Sequence, residues 1–295
     1  MLSIRNLKKE IAEYRALVRQ ERVEDFLSSL PKKPVFDFVV TSPPYDIGKP
    51  YERKVPLDAY VKWQAYVITE IVQRLSDRGS ICWQVGNYIH NGEVRPLDIE
   101  LAPIFYRLNL KLRNRIIWTF GHGMHAKKRF SGRYETILWF TKGDDYVFNL
   151  DDVRVPAKYP GKRYYKGNHR GELSGNPLGK NPEDVWYIPN IVGNHVEKTA
   201  HPCQFPVGLV QRLVLALTNK GDIVFDPFAG AASTAVAAMM CGRNFIGTEI
   251  DANYVNIARE RIKRTLNGVE PFRPADKPVY DPAKSNLSRR PKEWN

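Results

Sequence analysis

Three short segments carry residue types that could do chemistry. Thr41-Ser42-Pro43-Pro44-Tyr45 closes an apolar run. Its two successive prolines fix the backbone, so that the Ser42 hydroxyl and a proline carbonyl can converge as rigid acceptors with the flat Tyr45 ring beside them. Such a set suits a planar exocyclic amine. Asp226-Pro227-Phe228-Ala229-Gly230-Ala231-Ala232-Ser233-Thr234 lies between a predicted strand, Ile223 to Phe225, and a helix starting near Ser233. Small residues in such a turn let backbone N–H groups approach a ligand closely, and the carboxylate at the strand end can accept from hydroxyl or ammonium donors. Gly247-Thr248-Glu249-Ile250-Asp251 ends the following strand. It puts Glu249 about 20 residues downstream, where a carboxylate can hold both ribose hydroxyls of an adenosine. Together the last two segments describe an adenosine-cofactor site at strand C-termini, although either alone would also serve as an ordinary turn between strand and helix. The glycine spacing of a dinucleotide fingerprint or a P-loop is absent, so this is not a phosphate site.

Residues 6–30 have apolar residues at helical spacing (Leu7, Ile11, Tyr14, Leu17, Val18, Phe26, Leu27, Leu30) and stop at Pro31, which predicts a helical lead-in. Val35 to Val40 reads as a buried parallel strand that the prolines terminate. Leu57 to Leu75 has a 3.6-residue apolar period, Asp77-Arg78-Gly79 reads as a turn, and Gly79 to Val85 reads as the next strand of an α/β unit. The alternation continues with a helix over Leu97 to Leu108 and strands at Leu112 to Trp118 and Thr136 to Phe140. It resumes with a helix from Pro206 to Leu217, the strand at Ile223, a helix from Ser233 to Met240 and a strand at Phe245 to Gly247. Between these halves, prolines at 156, 160, 177, 182 and 189 mix with many glycines, so no long regular element fits and a recognition insert is expected. Five prolines and ten charged residues among the last 27 predict an extended tail. The expected divisions are a lead-in over 1–34, a catalytic half over 35–150, a target-recognition region over 151–200, a cofactor half over 201–268 and a tail over 269–295.

The 295 residues are 43% hydrophobic and 26% charged, an ordinary globular composition with enough apolar residues for a sizeable core. No run approaches about 18 uninterrupted apolar residues and the first residues lack a secretory apolar stretch, which predicts a soluble, cytoplasmic chain with no membrane partner. Cys82, Cys203 and Cys241 are odd in number and far apart, so neither a disulfide framework nor a cysteine zinc site is indicated. His122 and His125 stand in a glycine loop beside three cations, where they face a polyanion or solvent, and no metal is expected. Trp83 and Trp139 lie in apolar strands and read as core. Forty-five Lys and Arg against 32 Asp and Glu give a net charge of +13, which favours a polyanionic partner. The excess falls in two stretches. Tyr106 to Tyr134 holds eight basic residues and no acidic one, including Lys127, Lys128, Arg129 and Arg133; Arg154 to Lys180 holds seven against Glu172 alone, including Lys162, Arg163, Lys166 and Arg170. Aromatics between the cations suit a nucleic-acid backbone. The pair Tyr164-Tyr165 is as suited to a structural role as to stacking on a base.

Thr-Ser-Pro-Pro-Tyr resembles the catalytic motif of the DNA amino-methyltransferases, which methylate cytosine N4 or adenine N6 with S-adenosylmethionine. Asp-Pro-Phe-Ala-Gly is similar to their cofactor motif, and Gly-Thr-Glu-Ile-Asp with Tyr254 and Ala258 to their ribose-binding strand and helix. His201-Pro-Cys-Gln-Phe-Pro206 and Gly132-Arg-Tyr-Glu-Thr-Ile-Leu-Trp-Phe140 are similar to two further family segments, so the resemblance spans roughly residues 36–262. The catalytic motif precedes the cofactor motif, as in the circularly permuted beta class. The resemblance implies an α/β fold, a seven-stranded, mostly parallel Rossmann-like sheet with helices on both faces. It assigns catalysis to Ser42, Pro43, Pro44 and Tyr45, and cofactor binding to Asp226, Phe228, Gly230 and Glu249 with Thr41, His201, Pro202 and Gln204. Implied partners are double-stranded DNA, with its target base flipped into the pocket, and a restriction endonuclease of the same specificity. The enzyme would be a monomer or homodimer. Serine at the first motif position leans the target towards cytosine N4, with adenine N6 as the alternative and a non-catalytic nucleic-acid-binding module of the same fold as a more distant one. Two positions depart from the pattern: Ala232 replaces the second cofactor glycine, and Phe205 replaces a lysine.

Overall fold

The computed structural model describes residues 2–44, 55–90, 92–121, 123 and 125–278. The expected helical lead-in is in fact helix, strand and helix: α1 (Ile4–Tyr14), β1 (Ala16–Gln20) and α2 (Val23–Ser29). Arg15, at φ 61°, is in the left-handed region and ends α1 one residue before the chain extends. Ala16 and Val18 then point into the core while Leu17 and Arg19 are half-buried. This period-2 pattern is too short to stand out from the 3.6-residue spacing on either side.

The next elements follow the sequence pattern closely. β2 (Phe36–Thr41), α3 (Leu57–Val72) and β3 (Leu75–Val85) form the parallel unit. The Asp77-Arg78-Gly79 turn survives as an irregularity inside β3, where the register steps from Phe36 opposite Leu75 to Phe38 opposite Ser80. Gly79 is needed there, since a Cβ would lie 2.7 Å from Leu75 Cδ1 and 2.9 Å from the Asp37 carbonyl oxygen. A small hairpin, β4 (Asn87–His90) and β5 (Glu93–Pro96), leads into α4 (Leu97–Arg107), β6 (Lys111–Thr119) and β7 (Tyr134–Thr141). After the irregular stretch come β8 (Val185–Tyr187), α5 (Val207–Leu217), β9 (Ile223–Asp226), α6 (Ser233–Met240), β10 (Asn244–Glu249) and α7 (Ala252–Leu266).

The main sheet runs β1-β10-β9-β2-β3-β7-β6-β8. Among the described strands of this sheet only β7 opposes the common direction, pairing antiparallel with β3 and β6. Among the described residues the main sheet has eight strands rather than the implied seven, and its two edges, β1 and β8, are the strands that the sequence pattern did not declare. Apolar residues from α5, α6 and α7 cover one face and those from α1, α2, α3 and α4 the other, so the central strands are buried on both sides. Arg74, 1% exposed, ties α2 to α3 by donating to the Leu27, Leu30 and Glu70 carbonyl oxygens while pairing with the Glu70 carboxylate.

The stretch 151–200 contains a 3-10 turn at Leu150–Val153, β8 and two isolated bridges, and every residue from 158 to 173 is exposed. Its last part is not peripheral, because Trp186, Ile188 and Ile191 are buried in the core. The tail is packed as far as it is described. Glu270 pairs with Arg261, both side chains 1% exposed, and Ala275 crosses α5 so closely that a Cβ on Gly208 would lie 2.7 Å from its nitrogen. The part of the tail beyond residue 278 lies outside the described residues.

Candidate active site

β9 lies between β10 and β2, so the C-terminal ends of all three strands, and the three chemical segments that leave them, converge. Asp226 fastens the junction. Thr41 Oγ1 and Thr234 Oγ1 each donate to it at 2.6 Å, one to each carboxylate oxygen, and Phe228 N donates to Oδ1 at 3.1 Å. Thr41 and Asp226 are 185 residues apart in sequence, and neither is more than 1% exposed. Burial raises the Asp226 carboxyl from 3.8 to about 6, against the three donors that favour its charged form. Thr41 and Asp226 therefore lie beneath the floor of the site and join its halves.

Above them opens a cavity of about 950 Å³. At one end Glu249 accepts from Gly230 N and Asp251 N, each at 2.9 Å, leaving acceptor capacity on both oxygens. Burial pushes its carboxyl above the ordinary value, opposed by the N–H groups of Asp251, Gly230 and Ile250. Asp251 also caps α7 by accepting from Asn253 N and Tyr254 N, which fixes the chain directly after Glu249. Gly230 has φ 49°, and a Cβ there would lie 2.9 Å from His201 Nε2. The His201 ring packs edge-on against Tyr254 at 4.4 Å and accepts from Cys203 N at Nδ1. Pro202 lines the same wall. Gln204, which also lines it, uses its side-chain oxygen to accept from Thr199 N and Oγ1 and its amide to donate to the Glu197 carbonyl oxygen. Ala232, where the resembling family has glycine, sits at φ 57° in the left-handed region.

Ser42, Pro43 and Pro44 line the middle of the cavity; Tyr45 lies outside the described residues. Thr41 pairs with Trp83, so Ser42 emerges beside Gln84 at the end of β3. Gln84 donates to Glu135 on the neighbouring strand β7. With Trp118, Phe120 and Asn190 they bound the end of the cavity remote from Glu249. The Asn190 side-chain oxygen is buried there without a hydrogen-bond partner among the described residues. Phe228 packs against Trp63 at 5.4 Å and Trp83 at 6.3 Å. Trp63 in turn donates to Glu24, which Arg22 also holds.

Sequence reasoning missed Gln84, Glu135, Asn190, Glu197 and the Glu21–Glu24 stretch. The last follows β1, where a strand reading would have pointed to its loop. Glu197 is 2% exposed and accepts from Val207 N and Arg273 N, so it pins the loop bearing His201 to α5 and to the tail. Burial raises its carboxyl, against those two backbone donors. Of the cations expected on the outside, Lys127, Lys128, Arg129, Lys162, Arg163, Lys166 and Arg170 are exposed and Arg133 is half-buried. Arg163 donates to the Gly171 carbonyl oxygen, bracing the 158–173 protrusion.

The chain is similar to known proteins in sequence and fold. A family model described as "DNA methylase", covering N6 and N4 methyltransferases, matches residues 36–260. The chain belongs to that family. It is 52% identical over 223 residues to Type II methyltransferase M.BglII from Bacillus subtilis, covering 75% of this chain but only 62% of that relative. DNA adenine methyltransferase YhdJ from Escherichia coli (strain K12) is 33% identical over 247 residues, 81% of this chain and 80% of that one. Among solved structures, the cytosine-N4-specific PvuII DNA methyltransferase shares the fold with a TM-score of 0.66 at 19% identity, covering 88% of this chain and 94% of its own. A putative DNA modification methylase from Thermus thermophilus, solved with S-adenosyl-L-methionine, matches with a TM-score of 0.61 at 24% identity, covering 86% and 95%. Fold and family membership of the DNA methylase chain are thereby established.

Proposed function

We propose that this DNA methylase family member transfers a methyl group from S-adenosylmethionine to the exocyclic amine of a base flipped out of double-stranded DNA, with cytosine N4 as its target. The observation that carries the reading is the Thr41–Asp226 hydrogen bond, which holds the Ser42-Pro43 acceptors and the Glu249 pocket in one cavity. About 950 Å³ lies at the upper end of the range for small-ligand pockets, roughly 300–1,000 Å³, as a site for a cofactor and a base together requires.

The Glu249 end fits the cofactor by the chemistry of its donor set. Glu249 offers acceptors to ribose hydroxyls, Phe228, Ile250 and Tyr254 offer apolar faces to a purine, and Gly230 lets the backbone come close. His201, Pro202 and Gln204 close that wall, while Thr41 and Asp226 hold it from below. When bound, S-adenosylmethionine supplies an electrophilic methyl group. Ser42 Oγ and the Pro43 carbonyl, both from residues that line the cavity, accept the two N–H bonds of the base amine. The nitrogen lone pair, otherwise delocalised into the ring, is then turned towards the Glu249 end. The amine proton can leave to water afterwards, so no strong general base is needed. Trp118 and Phe120 give the base an aromatic wall, and the orphaned Asn190 oxygen offers it one acceptor.

Serine in the motif supports cytosine N4. The 33% identity to a relative named as an adenine methyltransferase supports adenine N6 as the second reading. The relatives named Type II methyltransferases support a place beside a restriction endonuclease of the same specificity in the cytoplasm. Among the described residues no helix is long and apolar enough to cross a membrane. The deciding experiment incubates the protein with unmethylated genomic DNA and S-adenosylmethionine, digests to nucleosides and identifies the product by mass spectrometry. N4-methylcytosine is expected; N6-methyladenine would move the target to the second reading, and no methylated base would overturn both.

A further inference from the structure

The β6–β7 hairpin does not end where its strands do. Thr119 pairs with Tyr134, Phe120 N donates to the Arg133 carbonyl oxygen at 3.0 Å, and beyond that rung the chain leaves the sheet between two residues that line the cavity, Phe120 and Glu135. Gly123, on the same excursion, also lines it. Further out, Ala126 N donates to Ser131 Oγ at 3.1 Å, which closes a turn and leaves Lys127, Lys128, Arg129 and Phe130 at its tip. All three cations are exposed, and no carboxylate pairs with them among the described residues. Phe130 is 100% exposed.

A fully exposed phenylalanine has no hydroxyl for water and forgoes the burial that its ring favours, burial that a partner covering it would restore. Two other exposed aromatics of the basic surface differ. Tyr159 and Tyr165 each carry a lysine ammonium over the ring at 5.4 Å, and both stand on the 158–173 protrusion rather than on the loop between β6 and β7. Cations immediately before Phe130 and Arg133 just behind it would bring a phosphate backbone to the turn and present the ring to whatever lies between the phosphates. In a duplex that is the base stack, which apolar side chains can enter and wedge apart.

Resting on the reading of DNA as substrate, we propose that Phe130 is a duplex wedge. Its ring enters the stack at the place the target base leaves, and so holds the extruded nucleotide in the cavity behind it. No bond is made or broken by this residue; it lowers the cost of unpairing, which falls on every turnover with a matched duplex and falls least when the target is already mispaired.

The test uses the full chain and a duplex bearing the site that the wild-type protein methylates in genomic DNA, once with the target base matched and once mispaired. For Phe130→Ala, kcat/KM on the matched duplex should fall about tenfold or more, while the mispaired duplex is methylated at close to the wild-type rate. Phe130→Trp should restore the matched rate. Fluorescence of 2-aminopurine beside the target should rise on binding to wild type and rise less with the alanine variant. Equal rates for wild type and Phe130→Ala on matched DNA would overturn the wedge, as would equal losses on both duplexes. A wild-type protein that methylates neither duplex nor genomic DNA would instead overturn the proposed function itself.

Discussion

Ser42 and Asp226 show two different ways for a polar residue to serve one site. Ser42 lines the middle of the cavity and Glu249 one end, so the serine hydroxyl can be removed without changing the hydrogen bonds that hold Glu249. Ser42→Ala is expected to slow methyl transfer on the order of a hundredfold, the usual effect of deleting one fixed hydrogen-bonding group from a transition state, with cofactor affinity unchanged by calorimetry. Retained turnover would remove Ser42 from the mechanism. Asp226 touches no cavity surface, and its consequence is a pH dependence. Burial pushes its carboxyl from the ordinary 3.8 up to about 6, so folding favours the protonated form. That contribution is fully present below the unfolded value and is lost as pH rises through about 6. A shift of this size corresponds to about 3 kcal/mol. Asp226→Asn keeps an acceptor for Phe228 N, gives a donor to a threonine hydroxyl and stays neutral. Its melting temperature relative to wild type should therefore be higher at pH 8 than at pH 4. A constant difference across that range would show that Asp226 does not carry the titration.

At the scale of elements, the turn from β9 to α6 is closely constrained at the site. Gly230 is left-handed, and the space a side chain would fill is occupied by the His201 ring, itself held by Tyr254 and Cys203 N. Gly230→Ala is expected to cost roughly 1–2 kcal/mol in stability from the backbone alone, and to weaken cofactor binding because His201 must move. Chemical denaturation and cofactor titration of the same sample would check both, and a variant with unchanged affinity would detach His201 from the pocket. Elements of this kind were legible in the sequence: β2, β9 and β10 are short apolar runs cut off by Pro, Asp or Glu, and α3 after β2 keeps a 3.6-residue apolar period, whereas α6 is buried along all but its last residue. β1 was not, because five residues between two helices carry too little alternation, and Arg15 turns left-handed without the glycine that marks such turns. Gln84, Glu135 and Asn190 were not legible either. Their meeting depends on which strands are neighbours and in what register, and nothing local to each residue encodes that.

The whole molecule separates two tasks along one sheet. β1, β10 and β9 carry the Glu249 end of the cavity, while β3, β7, β6 and β8 carry the other end and the basic segments that rise beside it. Part of the excess of basic residues is thereby gathered at that end. Lys127, Lys128, Arg129, Lys162, Lys166 and Arg170 are exposed with no carboxylate partner among the described residues, whereas most cations nearer the core, such as Arg74 and Arg261, are spent on internal pairs. If those six reach phosphates, the logarithm of DNA affinity should fall with the logarithm of salt at a slope of about −5. Between about 50 and 200 mM salt that is a loss of about a thousandfold. Replacing Lys162, Lys166 and Arg170 together by alanine should flatten the slope by about 3 and weaken binding to every sequence alike. Because all three side chains are exposed, the melting temperature and cofactor affinity should not change. A slope that stays near about −5 in the triple variant would mean that DNA does not lie across the protrusion, and that the β6–β7 loop and other cations carry the phosphate contacts.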